Sequence, residues 1–205
     1  MDQGLADRLA IREVVETWAV ARDSGDWDTF RATWHDDGYM MATWFQGPAA
    51  EFIAASQNGW DHGVNILHFL GGSHITVAGT RAIAQTKMTI MQRAVVHDVL
   101  CDVACIGRFY DFFEARDGRW GIVLRQPTYE KDRLDPVDPA ASLTLDPELL
   151  SQFPVGYQHL GYVQAQLGFP VKPDMPGLRG PEVERLYASG RAWLTGAPAP
   201  RDGHR

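Results

Sequence analysis

A switch in hydrophobic period near residue 66 divides this chain. Before it, apolar residues recur with helical spacing. Residues 5–22 carry Ile11, Val14, Val15 and Trp18 on the i, i+3, i+4, i+7 positions, with Arg8, Arg12, Glu13 and Glu16 between them. Asp23-Ser24-Gly25-Asp26 breaks that helix, and Asp26 suits the N-cap of a short second helix carrying Trp27, Phe30 and Trp34. His35-Asp36-Asp37-Gly38 reads as a turn and Tyr39 to Phe45 as a strand. Pro48 then restarts a helix through Ala49–Ala55. From 66 to 127 the period is that of strands, with candidates at Ile75–Val77, Ala82–Val96, Leu100–Glu114 and Trp120–Gln126. Helices followed by an antiparallel meander predict an α+β domain whose helices share one face of the sheet.

The remaining seventy or so residues differ. Leu134 to Pro139 is a turn-rich linker, and short helices are expected near 155–167 and 181–194. This segment holds too few apolar residues for a core of its own. We therefore divide the chain into a domain over 1–130 and an extension over 131–205 that wraps the domain or a neighbouring subunit. With 45% hydrophobic residues, seven Trp and nine Phe, the domain can build a large core or an aromatic-lined pocket.

Charge narrows the partners. A net charge of −7 without any Lys/Arg-rich stretch argues against nucleic acid or an anionic membrane surface. No apolar run is long enough to span a bilayer. The acidic start, Met1-Asp2-Gln3-Gly4-Leu5, lacks the regions of a signal peptide, so a cytoplasmic protein is expected. Cys101 and Cys105, four apart in an apolar stretch, read as buried free thiols, and no His/Cys set suggests a metal site.

Two residues stand out chemically. Asp23 ends the first helix, where the macrodipole disfavours a carboxylate and where Asp26 already fills the capping role. Taken alone it is most simply a surface aspartate. His68 lies in the apolar run Ile66-Leu67-His68-Phe69-Leu70-Gly71-Gly72 and must find partners for its ring nitrogens. Taken alone it is most simply a satisfied core histidine; as a functional group it is a general base fixed by a carboxylate.

Together the two sit in segments that resemble a known family. Asp23-Ser24-Gly25-Asp26-Trp27-Asp28-Thr29-Phe30-Arg31 is similar to the first signature of scytalone dehydratase, and His68-Phe69-Leu70-Gly71-Gly72 to its second. Asp36-Asp37 matches the spacing in lindane dehydrochlorinase, and Asp117-Gly118-Arg119-Trp120 the turn before the last strand in many relatives. The resemblance, to the SnoaL-like, nuclear-transport-factor-2-like superfamily, covers about residues 5–127. It implies a cone-shaped α+β barrel with a curved antiparallel sheet, and an Asp23–His68 dyad inside the cone. In that reading His68 takes a proton from carbon while Asp23 orients the imidazole and stabilises the imidazolium. No cofactor is implied, and the sequence shows no GxGxxG or P-loop.

The departures from scytalone dehydratase bear on substrate. Met91 falls at its second active-site histidine, Arg22 and Ala42 at its tyrosines, and Gly107 and Phe109 near its strand-borne Ser and Asn. The dyad is kept and the naphthol-reading groups are not. If Met91 faces the cone, strand parity puts Gln85, Lys87 and Thr89 on the same face. Tyr39, Trp44, Phe69, Met91 and Phe109 are then the expected walls of an aromatic-sized pocket. Arg125 and Tyr129, near the end of the last strand, are further candidates, with Pro127 expected to end that strand's pairing. Lys87 would position or protonate a leaving hydroxyl, unless it is merely solvated at the rim.

The resulting expectation is a cofactor-independent lyase acting on an aromatic or polycyclic alcohol, losing water or a small fragment such as formaldehyde. The alternatives are an isomerase or polyketide cyclase, and a non-catalytic binding or dimerisation module. A homodimer or homotrimer is expected by analogy.

Overall fold

The structure, a computed structural model, describes residues 3–200. Met1 and Asp2 of the acidic start, like residues 201–205, lie outside the described residues. The first helix, α1, runs Gln3–Ser24 and buries Ile11, Val15, Trp18, Ala19 and Ala21, the stripe its period predicts. Gly25 ends it at a φ of 76°, a conformation in which a side chain is strained. Asp26 then caps α2 (Trp27–Ala32), its carboxylate accepting from the Thr29 N–H at 3.1 Å. Asp23 is thereby left free of capping duty, as its position implied.

Six strands form a curved sheet that does not close on itself. They are β1 (Trp34–Met41), β2 (Gln46–Pro48), β3 (Asn65–Ala78), β4 (Arg81–Val96), β5 (Val99–Arg116) and β6 (Arg119–Pro136). Their order is β2-β1-β6-β5-β4-β3, antiparallel except for the β1–β6 pair. Helix α3 (Ala49–Asp61) lies between β2 and β3. The expected turn at His35–Gly38 falls inside β1, where the register with β6 breaks between Trp34 and Tyr39. β3 begins ten residues earlier than the strand expected at Ile75, and the Gly71-Gly72 pair provides a bulge that bends it.

Pro127 does not end the last strand. β6 continues past residue 130 to Pro136, because a bulge opposite Ile106 and Gly107 absorbs the irregularity and pairing resumes with Lys131. Gly107 is required there: a Cβ on it would lie 1.9 Å from the Thr128 carbonyl oxygen. Gly107→Ala is expected to lose about 1–3 kcal/mol in urea unfolding, the usual cost of overpacking. Gly72→Ala, which meets nothing within 4 Å, serves as the near-neutral control. Equal unfolding midpoints for the two variants would refute this account.

The extension packs on both faces of the sheet. Helix α4 (Pro147–Leu150) leads to α5 (Gln158–Gln166), which buries Leu160, Tyr162 and Val163 against the inner face. Asp132 on β6 anchors α5, accepting from the Leu160 N–H at 2.8 Å and pairing with His159 Nδ1 at 2.9 Å. Helix α6 (Pro181–Leu194) covers part of the outer face, where Leu186 and Trp193 join Ile83, Tyr110, Phe112 and Leu124. Arg81 stacks on the Trp193 ring at 3.9 Å and donates to the Trp193 and Ala197 carbonyls. No helix among the described residues is long and apolar enough to cross a membrane.

Candidate active site

The last turn of α1 and the start of β3 meet at the open end of the sheet, bringing Asp23 to His68. Asp23 Oδ1 lies 2.8 Å from His68 Nδ1, and Oδ2 accepts from the His68 backbone N–H. An ionised carboxylate only accepts, so Nδ1 carries the ring proton and Nε2 is left bare. The ring is held edge-on by Trp18 at 5.2 Å and flanked by Phe109 at 5.9 Å. Nε2 has no hydrogen-bond partner among the described residues.

His68 lines a cavity of about 30 Å³ with Trp18, Arg22, Trp44, Phe52, Phe109 and Tyr129 among its walls. A second space adjoins it, sharing Arg22, Trp44, Ile66, Gln92 and Gln164 and adding Ser56, Val64 and Phe169. No aspartate or glutamate lines either space. The extension completes the wall: Thr43 donates to Gln164 Oε1 at 2.7 Å, and Phe169 packs on Trp44 at 5.3 Å.

Burial holds the His68 imidazole below the ordinary histidine value. The Asp23 hydrogen bond and charge pull it back up, while the positive charges of Arg22 and Arg125 push it down. His68 is therefore neutral, and competent as a base, to lower pH than a free histidine. A titration of its ring protons by NMR is expected to show a midpoint below about 6.5; a midpoint at or above that value would contradict the geometry. Stability follows the same sign. As pH falls past about 6.5 the unfolded chain binds a proton that the buried ring resists, so this histidine costs stability at acid pH. The Tyr129 phenol is pushed far above its usual range by burial, against the opposing hydrogen bond from Thr43, and stays protonated.

Of the residues expected from sequence, Asp23, Trp44, His68, Phe109 and Tyr129 come together here. Arg125 lies behind the wall. It is fully buried, bonded through Nε and Nη2 to Asp111 at 2.7 Å each, with its guanidinium over Phe109 at 3.9 Å and Trp18 at 4.1 Å. Four expected residues are on the wrong face. His68 pairs with Ile90, so the inward residues of β4 are Met88, Ile90 and Gln92. Lys87 and Met91 therefore point outward, one residue out of phase with the expected register. Phe69, next to His68 on the same strand, is likewise on the outer face and 69% exposed. Tyr39 belongs to the outer-face cluster with Met41 and Tyr110.

Sequence reasoning missed Trp18 as a cavity residue, having read it only as helix core. It also missed Gln92, which correct β3–β4 phase would have found, and Gln164, which meets Thr43 across 121 positions with no local signal. Arg22 was noted only as a substitution at a tyrosine position.

The sequence pattern of the SnoaL-like domain matches residues 3–126. This chain belongs to the SnoaL-like family. Two relatives come from Fusarium vanettenii. Pea pathogenicity protein 2 is 39% identical over 202 residues, 93% of this chain and 86% of that protein. A PEP2-like protein is 38% identical over 206 residues, 95% of this chain and 88% of that protein. Both matches cover too much of this chain to stop at residue 130, so these two relatives share sequence with the extension. Among solved structures, a scytalone dehydratase candidate from Novosphingobium aromaticivorans superposes with a TM-score of 0.55 at 16% identity, covering 70% of this chain and 99% of that one. LinA superposes equally, with a TM-score of 0.55 at 18% identity over 69% and 96% of the two chains. At these identities the structural likeness speaks for the SnoaL-like, nuclear-transport-factor-2-like fold.

Among the described residues, no group of three or more His, Cys, Asp or Glu side chains is placed to hold a metal ion. Cys101 and Cys105 are buried free thiols, and burial raises the Cys105 thiol well above its usual range.

Proposed function

We propose that this protein is a cofactor-independent lyase that eliminates water from an aromatic or polycyclic alcohol; where the dehydrated intermediate is a quinone methide bearing a hydroxymethyl group, loss of that hydroxyl proton and cleavage of its C–C bond would release formaldehyde and return the electron pair to the ring system. The observation that carries the reading is the Asp23–His68 hydrogen bond beside a bare Nε2 that borders an aromatic-walled cavity. His68 Nε2 takes a proton from carbon, and the C–H electron pair becomes the new double bond as the C–O bond breaks. The imidazolium, stabilised by Asp23, returns its proton to the departing oxygen, so that alkene and water leave and the base is regenerated. The aromatic wall positions the ring system, and Tyr129, held neutral, is available as a donor.

An isomerase built on a carboxylate base is less well supported, since no aspartate or glutamate lines the cavity. A purely structural module has no use for a carboxylate committed to a cavity histidine. The test is a turnover screen of the purified protein with benzylic alcohols, diaryl diols and hydroxylated polyketides. Formation of a conjugated alkene is followed by absorbance, and lost water or formaldehyde by mass spectrometry. Products without net elimination would move the assignment to isomerisation. Ligand binding without turnover across the panel would favour the binding module.

A further inference from the structure

A guanidinium in the cavity wall has an unused face. Arg22, 5% exposed, lines both spaces. Its Nη1 makes long contacts, 3.4 Å to Asp23 Oδ1 and 3.5 Å to the Ile66 carbonyl. Its Nε has no acceptor and is screened from solvent, and its Nη2 has none among the described residues. Nε and Nη2 form one edge of the guanidinium, with two parallel N–H groups spaced for a planar pair of oxygens.

The same edge is satisfied by a carboxylate elsewhere in this molecule. Arg93 uses Nε and Nη2 on Asp102 at 2.8 and 2.7 Å, and Arg125 uses them on Asp111 at 2.7 Å. Leaving such donors buried without a partner is costly, so an acceptor of matching shape is expected at Arg22. Other donors surround the place. Gln164 commits Oε1 to Thr43, leaving its amide N–H groups. Gln92, 4% exposed, has no hydrogen-bond partner for its side chain among the described residues, and the Ser56 hydroxyl is buried and unpartnered. The surrounding walls, Trp44, Val64, Ile66 and Phe169, are apolar.

We propose that the substrate is an aromatic carboxylic acid whose carboxylate docks on the Nε/Nη2 edge of Arg22, supported by Gln92 and Gln164, with its ring system against Trp44 and its reacting carbon at His68. The site would thus select acids over neutral aromatics of the same shape. This rests on the cavity being the substrate site proposed above, and its test is by binding, so that it stands or falls apart from the lyase chemistry.

The experiment measures affinity by tryptophan fluorescence and calorimetry for matched sets: hydroxylated aryl and diaryl acids, their primary amides and their methyl esters. Wild-type protein is expected to bind the acids about 10- to 100-fold more tightly than the amides or esters, the range for a hydrogen bond to a charged group. Arg22→Met should abolish that preference, and Arg22→Lys should restore only part of it, because a lysine cannot present two parallel donors. His68→Gln, which removes the base, should keep it. Equal affinities for acid and ester in the wild type, or an undiminished preference in Arg22→Met, would overturn the proposal. If Arg22→Met does not fold, the wild-type comparison alone decides. Acid selectivity without turnover would leave the Arg22 site standing and sink only the lyase.

Discussion

His68→Gln is expected to lower turnover by about 10²–10⁴-fold on any substrate the wild type eliminates, because it removes the cavity-facing base held by a carboxylate. Asp23→Asn should cost about as much, although it changes one atom and leaves His68 in place. An asparagine amide both donates and accepts, so it can present an N–H to Nδ1 and drive the ring proton to Nε2. It also withdraws the negative charge that stabilises the imidazolium. Both variants should fold, as judged by circular dichroism and thermal midpoint, since the substitutions are close in size to the residues they replace. The loss is therefore read in kcat. A double variant should be no worse than the worse single one if the two residues act as a unit. Retention of most activity in His68→Gln would mean that the pair is structural and that the base lies elsewhere.

The largest effect on stability is expected at Asp111 and Arg125. Both side chains are wholly screened from water and joined by two bonds of 2.7 Å. Burial pushes the Asp111 carboxyl upward, and the Arg125 charge and hydrogen bonds oppose it, so each group is tolerable only with the other. Arg125→Met or Asp111→Ala strands a buried charge and is expected to cost about 3–5 kcal/mol in urea unfolding. Replacing both, Asp111→Leu with Arg125→Met, should recover most of that loss, because an apolar pair of similar volume carries no desolvation penalty. A single variant as stable as the wild type would show that water reaches the pair. The double variant should still differ in the site. Arg125 supports the rings of Trp18 and Phe109 that hold His68, and its charge helps keep the imidazole low. Without it the His68 titration should move upward.

The structure explains why this pair was not expected. Asp111 and Arg125 lie at matching register positions on β5 and β6, but strand parity alone does not say whether a charged residue faces the core or the outside. Arg125 read from sequence as a candidate for the pocket, not as half of a buried ion pair behind its wall. Only its partner, fourteen positions earlier, makes burial possible.

The same limit separates the site residues that were legible from those that were not. Asp23 stood out locally only as a helix-terminal carboxylate without a capping role, and by itself it read as a surface aspartate. His68 by itself read as a satisfied core histidine, and it was the family resemblance, not a local rule, that joined the two as a candidate pair. Lys87, Met91 and Phe69 went wrong through phase. A strand's two faces differ by one residue, and the β3–β4 register that sets the phase is a long-range property. The extension was seen to lack a core of its own, yet which surface it covers depended on complementarity that no local pattern carries.

By itself the sequence determined the local order of this protein: the succession of helices and strands, the period switch at the sheet and the glycine turns, all set by interactions within a few residues. The tertiary structure alone decided which faces turn inward, that β6 runs on past Pro127, that Gln164 reaches the cavity, and that Arg22 keeps a bare edge there. Those outcomes rest on contacts between residues tens of positions apart. Their energy comes from apolar burial and from hydrogen bonds between buried groups, and both exist only once the chain has closed around them.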